Sequence, residues 1–261
     1  MRQLTWADQN VRECLSAVRG AKPFVYGLTN YVAANLSANV LLAVGAAPAI
    51  GTAPGWTKAF PAGAGAVWIN GAALMSSGAE TLLEAARSAH EANTPWVLDP
   101  VAIGAGAAPY DAIIRELLQF RPTVIRGNAS ELIALAGGGA GAKGVESTAG
   151  SEAAISFVQD LARSANSIVA VSGEIDYVTD GIDIVAIPGG DVRLTQVTGA
   201  GCSLGALISA VLAVTPDKLL ATCAAHAFYA VAAERAGART RGTGSFATAL
   251  VDELSLLRAD P

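Results

Sequence analysis

Apolar residues fall along the chain in two patterns. Runs such as Ala66–Asn70 (AVWIN) and Trp96–Asp99 (WVLD) are short and nearly continuous, which is how a strand covered on both faces reads. They alternate with longer stretches whose apolar positions recur at helical spacing. The pattern predicts strands at 23–27, 47–51, 66–70, 95–99, 122–126, 167–171, 175–179 and 183–187. It predicts helices at 4–19, 31–45, 77–92, 109–119, 128–136, 151–164, 202–214, 216–236 and 245–258. Thr5 or Asp8 is the expected cap of the first helix. Thr215 is the expected N-cap of the helix from 216, with Pro216 at its first position.

This alternation implies an α/β fold of three layers: a mainly parallel central sheet with helices on both faces. The segment 173–196 reads differently. Two strands follow one another without a helix, with turn signals at Thr179-Asp180-Gly181 and Pro188-Gly189-Gly190, so a local antiparallel excursion is expected there. The glycine-rich runs GTAPG, GAGAG, GGGAGAKG and GGD read as loops. No shift of composition divides the chain and no repeat is found, so 1–261 reads as one domain.

Composition narrows the function classes. Of 261 residues, 52% are hydrophobic and only 15% charged, the opposite of a disordered chain. The formal net charge of −5 lacks the basic footprint of a nucleic-acid binder. The most apolar stretch, Cys202–Val214, is far shorter than the roughly 20 residues that span a bilayer. The N-terminus, MRQLTWADQN, does not read as a signal peptide. Three cysteines, Cys14, Cys202 and Cys223, are too few and scattered for a disulfide framework or zinc site. A cytoplasmic protein is expected.

In open α/β sheets ligands bind beyond the carboxyl ends of the strands. The polar residues expected at those ends are Thr29 and Asn30, then Asp99, then Arg126-Gly127-Asn128, then Ser172-Gly173. Asp99, Arg126 and Glu131 are expected just past strand ends, at the mouth of one cleft, where solvent and ligand meet. Taken singly, Asp99 before Pro100 reads as a turn former and Asn128 as a helix cap. Gly199-Ala200-Gly201 opens into the apolar helix beginning at Cys202. A helix N-terminus offers free N–H groups and about half a positive charge, a site suited to phosphate. No GK[ST] follows, so it is not a Walker loop. A thiol in the first turn, Cys202, is expected to have a lowered pKa and to act as base or nucleophile. Cys14 and Cys223 read as small buried residues, and His90 and His226 as structural.

These stretches resemble the hydroxyethylthiazole kinases, thiamine-salvage enzymes of the ribokinase-like superfamily. The resemblance is carried, in family order, by GLTNYVAANLSANVLLAVGAAPAI, VLDPVAIGAG, TVIRGNASELIALAG, AKGVES, VSGEIDYVTDG, VTGAGCSLGALISAV and GTGSFATALVDEL. It implies a ribokinase-like fold and an ATP- and Mg²⁺-dependent transfer to the primary alcohol of 4-methyl-5-(2-hydroxyethyl)thiazole. It implies Cys202 as catalytic base and the Gly199-Ala200-Gly201 backbone as the cradle of the phosphoryl group. Asp99 and Glu131 match the acidic positions that organise Mg²⁺. Arg126, Ser172 and Asn30 fall on the nucleotide side, and Ile50 and Gly199 on the thiazole side. A homotrimer with sites at subunit interfaces is implied as well. Three departures stand out: Ile50 replaces a common Met, PVAIGAG lacks the common Gly after Pro-Val, and the turn is GAG rather than GTG.

The competing readings are a related kinase for another small alcohol, a nicotinamide oxidoreductase and a catalytically silent nucleotide-binding protein. The oxidoreductase would need G-x-G-x-x-G after the first strand and an acid about 20 residues beyond it; neither is present. A silent protein would not need Asp99, Arg126, Glu131 and Cys202 together.

Overall fold

The short apolar runs pair into one sheet. The computed structural model describes residues 1–138 and 150–259. Its strands are β1 (Arg2–Gln3), β2 (Phe24–Leu28), β3 (Ala47–Ile50), β4 (Ala66–Asn70), β5 (Trp96–Asp99), β6 (Val124–Asn128), β7 (Ile168–Ser172), β8 (Asp176–Thr179) and β9 (Ile184–Ile187). They lie in the order β1-β9-β8-β7-β6-β5-β4-β2-β3. Every described pairing is parallel except those of β8, which is antiparallel to β7 and to β9. The helix-free segment therefore makes the expected antiparallel excursion.

Successive strand residues serve opposite faces, which explains the continuous apolar runs. On one face Val25, Trp68, Val97 and Val124 pack beneath α1 (Gln9–Ala21), α2 (Tyr31–Val44), α8 (Ala200–Leu212), α9 (Lys218–Arg239) and α10 (Thr243–Leu256). On the other, Tyr26, Ile69, Trp96 and Ile125 pack beneath α3 (Trp56–Gly63), α4 (Ala79–Glu91), α5 (Ala108–Leu117), α6 (Ala129–Leu135) and α7 (Ile155–Ala165). The expected three layers are thus present. In α8 every residue except Gly201 and Cys202 is buried.

Several boundaries differ from expectation. Leu4 is not helical: β1 pairs with β9, and Leu4 N–H continues the ladder to the Ala186 carbonyl. Asp8 then accepts from the Thr5 N–H and hydroxyl, closing a turn before α1 begins. The last long helix starts at Lys218, because Asp217 rather than Thr215 accepts the Leu220 N–H as N-cap. β6 begins two residues later than expected and contains Arg126, because strand pairing rather than apolarity sets its end. Helix α3 was not visible in the pattern. Its Pro61 reads as a breaker, but near the end of an eight-residue helix it forfeits little, and Trp56 and Phe60 stack at 4.7 Å. Gly137 and Gly138 close α6; the rest of GGGAGAKG and the stretch AKGVES lie outside the described residues.

Candidate active site

Parallel strands in register bring their carboxyl ends level. Asn70, the last residue of β4, pairs with Asp99, the last of β5, and Asn128 of β6 pairs with Ser172 of β7. The side chains form a hydrogen-bonded row across four strands. Asn70 Nδ2 donates to Asp99 Oδ2 at 3.0 Å. Arg126 Nη1 donates to the same oxygen at 3.3 Å, and Nη2 to Ser172 Oγ at 2.9 Å.

The N-terminus of α8 faces this row. Gly199 is its N-cap with φ +83°, a conformation that favours glycine. The Ala200 N–H is taken by Val197 O and the Ser203 N–H by Gly199 O. Among the described residues the N–H groups of Gly201 and Cys202 have no acceptor, so the first turn keeps two open donors. A Cβ on Gly201 would sit 3.4 Å from Arg126 Nη1; its absence leaves the guanidinium and the helix end facing one space. That space is a cavity of about 450 Å³ lined by Asp99, Arg126, Glu131, Ser172, Asp176 and Cys202, among others. Tyr229 of α9 secures the helix end by donating to Ala200 O at 2.8 Å.

The electrostatics differ from expectation in two ways. Asp99 and Arg126 were placed at a solvent-facing mouth, but Asp99 is 0% and Arg126 7% exposed. The sheet register and the α8 N-terminus close over them. Burial, joined by the Glu131 charge, outweighs the guanidinium and raises the Asp99 carboxyl to about 7. Burial opposes the Arg126 charge, but Asp99 and Glu131 prevail and hold its pKa above the usual value. Cys202 is the second correction. Its thiol is not lowered by the helix end: burial and the Asp99 charge push it up to about 11, against the Asn70 hydrogen bond and Arg126. The resting thiol is protonated at neutral pH.

Glu131 is held by a structural task as well. Its Oε2 accepts the Asn128 N–H at 2.9 Å while Asn128 Oδ1 accepts the Glu131 N–H at 2.9 Å, a capping box. Asn128 is thus a cap as well as a strand end. Glu131 Oε1 accepts the Ala102 N–H at 3.0 Å, tying α6 to the loop after β5. Ala102 has φ +63°, the backbone region favouring glycine, at the position where PVAIGAG departs from the common Gly.

The donor set suits one kind of ion. Asp99 Oδ1 is buried without a partner among the described residues, and Glu131 lines the same cavity. No group of three or more His, Cys, Asp or Glu able to hold a metal occurs among the described residues. Two hard carboxylates fit a Mg²⁺ that keeps several waters.

The structure does not bring all the expected residues together. Asn30 and Ile50 lie outside this cavity, toward β2 and β3, so Asn30 stands on the Ile50 side and not beside Arg126 and Ser172, with which the resemblance groups it. Asn30 Oδ1 caps α2 by accepting the Ala33 N–H at 2.9 Å, and its amide reaches Met75 Sδ at 3.5 Å. Gly199 joins the two sides: a Cβ there would meet Ala33 Cα at 3.1 Å. Ile50 is half-buried at the end of edge strand β3. Sequence reasoning missed Asn70 and Tyr229. An amide ending an apolar strand level with Asp99 was the available signal for Asn70; nothing marked Tyr229. His90 is exposed on α4, whereas His226 is fully buried on α9 with Nδ1 2.6 Å from Asp176 Oδ2.

Comparisons with known proteins agree on one family. The family model described as "Hydroxyethylthiazole kinase family" matches residues 15–260. A hydroxyethylthiazole kinase of Burkholderia thailandensis is 69% identical over 257 residues, covering 98% of each chain. The solved structure of a hydroxyethylthiazole kinase protein from Pyrococcus horikoshii superposes with a TM-score of 0.86 at 35% identity, covering 96% of this chain and 94% of the other. A ribokinase-like superfamily protein of Enterococcus faecalis, at 12% identity, shares the fold with a TM-score of 0.69, covering 99% of this chain and 97% of the other.

Proposed function

The chain belongs to the hydroxyethylthiazole kinase family, and from that membership we propose how its cleft phosphorylates the primary alcohol of 4-methyl-5-(2-hydroxyethyl)thiazole. The protein is a kinase of thiamine salvage, and ATP is the phosphoryl donor. The observation that carries the reading is the buried row Asn70–Asp99–Arg126–Ser172 facing the open N–H groups of α8, with Cys202 between them.

Phosphoryl transfer needs positioning and charge neutralisation more than covalent help. The N–H groups of Gly201 and Cys202 hold the oxygens of the transferring group, aided by the helix N-terminus. Arg126, oriented by Asp99 and Ser172, offers its fork to the nucleotide phosphates. Asp99 and Glu131 are the residues that would hold Mg²⁺, which screens phosphate charge when bound. The alcohol approaches from the side of Asn30, Ile50 and Gly199. Its proton passes to Cys202 Sγ as its oxygen bonds to phosphorus and the bond to ADP breaks. Because the resting thiol is protonated, it first releases its own proton to solvent in the cleft, which half-buried Cys202 lines, and the thiolate so formed takes the proton of the alcohol. A loose transition state tolerates that, since it demands little activation of the nucleophile.

Labelled-phosphate transfer from ATP to hydroxyethylthiazole tests the reading: product is expected with Mg²⁺ and none in excess chelator. Transfer that survives chelation, or transfer to no small alcohol at all, contradicts it. The base assignment has its own comparison. Cys202→Ser is expected to lose about 10²–10⁴ in turnover. Cys202→Asp should keep some activity or exceed wild type, because a carboxylate can serve as the base in place of the thiol.

The chain is further proposed to form a homo-oligomer, with a trimer favoured by family resemblance. The apolar side chains of Tyr31, Val32 and Met75 are 84%, 59% and 77% exposed, and exposed apolar clusters mark interfaces. A monomer by light scattering at micromolar concentration contradicts this. Among the described residues no helix is long and apolar enough to cross a membrane. The three free thiols support a reducing, cytoplasmic location.

A further inference from the structure

At the wall of the cleft, the fully buried His226 pairs with the partly exposed Asp176, and the pair has no part in the transfer as derived above. His226 is 0% exposed, yet only one ring nitrogen is satisfied. Nδ1 lies 2.6 Å from Asp176 Oδ2, while Nε2 has no partner among the described residues. A carboxylate only accepts, so Nδ1 donates. A half-satisfied imidazole, buried in the wall of a cavity that Asp176 also lines, is costly compared with an apolar side chain of similar size. Core filling alone does not account for it.

The pair leads to the cleft. Asp176 opens β8, and its Oδ1 accepts the Gly173 N–H at 2.9 Å, which closes the turn between β7 and β8. Ser172, at the start of that turn, accepts from Arg126 Nη2. Three residues on from His226, on the same face of α9, Tyr229 holds the first carbonyl of α8. One face of α9 therefore fastens two walls of the cleft: Tyr229 fastens the phosphate-facing helix and His226 the turn that steadies Arg126. Asp176 lines both the cleft and a neighbouring cavity of about 640 Å³ that includes Glu174 and Asp191. Neither cavity reaches Asn30 or Ile50.

We propose that His226 is a positioning residue for the nucleotide. It holds the Ser172–Asp176 turn, and through Ser172 the Arg126 fork, in the arrangement that receives ATP, and it has no part in binding the alcohol. This rests on the kinase reading above.

Two substitutions separate the role from mere packing. His226→Asn keeps an amide N–H near the Nδ1 position, whereas His226→Gln carries it out toward Nε2. His226→Gln is expected to raise KM for ATP about tenfold while KM for the alcohol stays within about twofold, and His226→Asn to stay within about threefold of wild type in both. The proposal is overturned if folded His226→Gln keeps the wild-type KM for ATP, if both KM values rise together, or if His226→Asn is as impaired as His226→Gln. Should His226→Gln not fold, the wild-type enzyme decides by NMR. The chain has two histidines, and exposed His90 serves as the control. Saturating ADP–Mg²⁺ is expected to shift the His226 Nδ1–H resonance, and hydroxyethylthiazole to leave it in place. No shift with the nucleotide overturns the proposal. An inactive wild type would instead fault the kinase reading.

Discussion

The two ends of the site are built on different principles. Toward β5–β8, polar side chains are interlocked, with Asp99 and Arg126 buried and Ser172 half-buried: each sits in a hydrogen bond supplied by a neighbouring strand. Toward β2 and β3, Asn30 caps a helix, Ile50 ends an edge strand, and Tyr31, Val32 and Met75 stand exposed. The first end is preorganised within one chain, so charges meet a phosphate without rearrangement. The second presents apolar surface with nothing among the described residues to cover it. On the oligomer proposed above, a single chain would shape the nucleotide site and assembly would complete the alcohol site. The β5–β8 end also carries a cost. A buried Asp99 raised to about 7 and an Arg126 Nε without a partner among the described residues are poor cores and good phosphate sites.

The largest expected effect comes from breaking the buried row. Asp99→Leu should cost about 3–5 kcal/mol of stability, because the Arg126 charge is left buried without its partner; Arg126→Leu should cost less, because Asp99, already raised to about 7, can take up a proton. The double substitution should cost less than the sum of the two. Turnover should fall by about a hundredfold or more in all three. Denaturant unfolding beside turnover checks this; additive stability losses would mean that the two charges do not depend on one another.

A smaller effect is expected at the other end. Val32→Asp should weaken self-association and raise KM for the alcohol by at least about fivefold, with KM for ATP unchanged. Light scattering paired with steady-state kinetics reads both. An intact oligomer with unchanged kinetics would remove Val32 from the interface and the alcohol side.

The smallest effect concerns the loop after β5. Ala102→Gly relieves a left-handed residue worth about 1–2 kcal/mol, less about 0.5–1 kcal/mol of added backbone freedom in the unfolded chain. A rise in Tm of roughly 2 °C is expected. A fall would show that the φ of +63° is not a strain on the fold.

Much of this was legible in the sequence, for physical reasons that also mark its limits. Continuous apolar runs identify strands covered on both faces, and the polar residue ending each run falls at the carboxyl edge of the sheet, so the places of Asp99 and Ser172 at the ends of β5 and β7, lining one cavity, were legible. The Gly-Ala-Gly turn marked the anion-facing helix because only glycine adopts the Gly199 conformation cheaply. What escaped depends on contacts between elements distant in sequence. The Cys202 pKa is set by burial and by Asp99 on another element, not by its own helix end. The clasp of Tyr229 on Ala200, the second task of Glu131 at Ala102 and the pairing of His226 with Asp176 each join separate elements, and no local pattern announces them. Helix α3 escaped because Pro61 masks an otherwise apolar turn.

In the proposed mechanism the two ends meet at a Cys202 thiol that is protonated at rest. Peptide-resolved alkylation by iodoacetamide tests it most directly. Cys14 and Cys223 are 4% and 0% exposed, and burial raises both thiols, that of Cys223 to about 12. Cys202, raised to about 11, is half-buried and should react first. Only thiolate attacks, so its rate should climb about tenfold per pH unit between roughly pH 7 and 9 without levelling. ATP–Mg²⁺ and hydroxyethylthiazole should each slow it. A rate already level at neutral pH would mean a resting thiolate, and a rate indifferent to both substrates would place Cys202 outside the reacting centre.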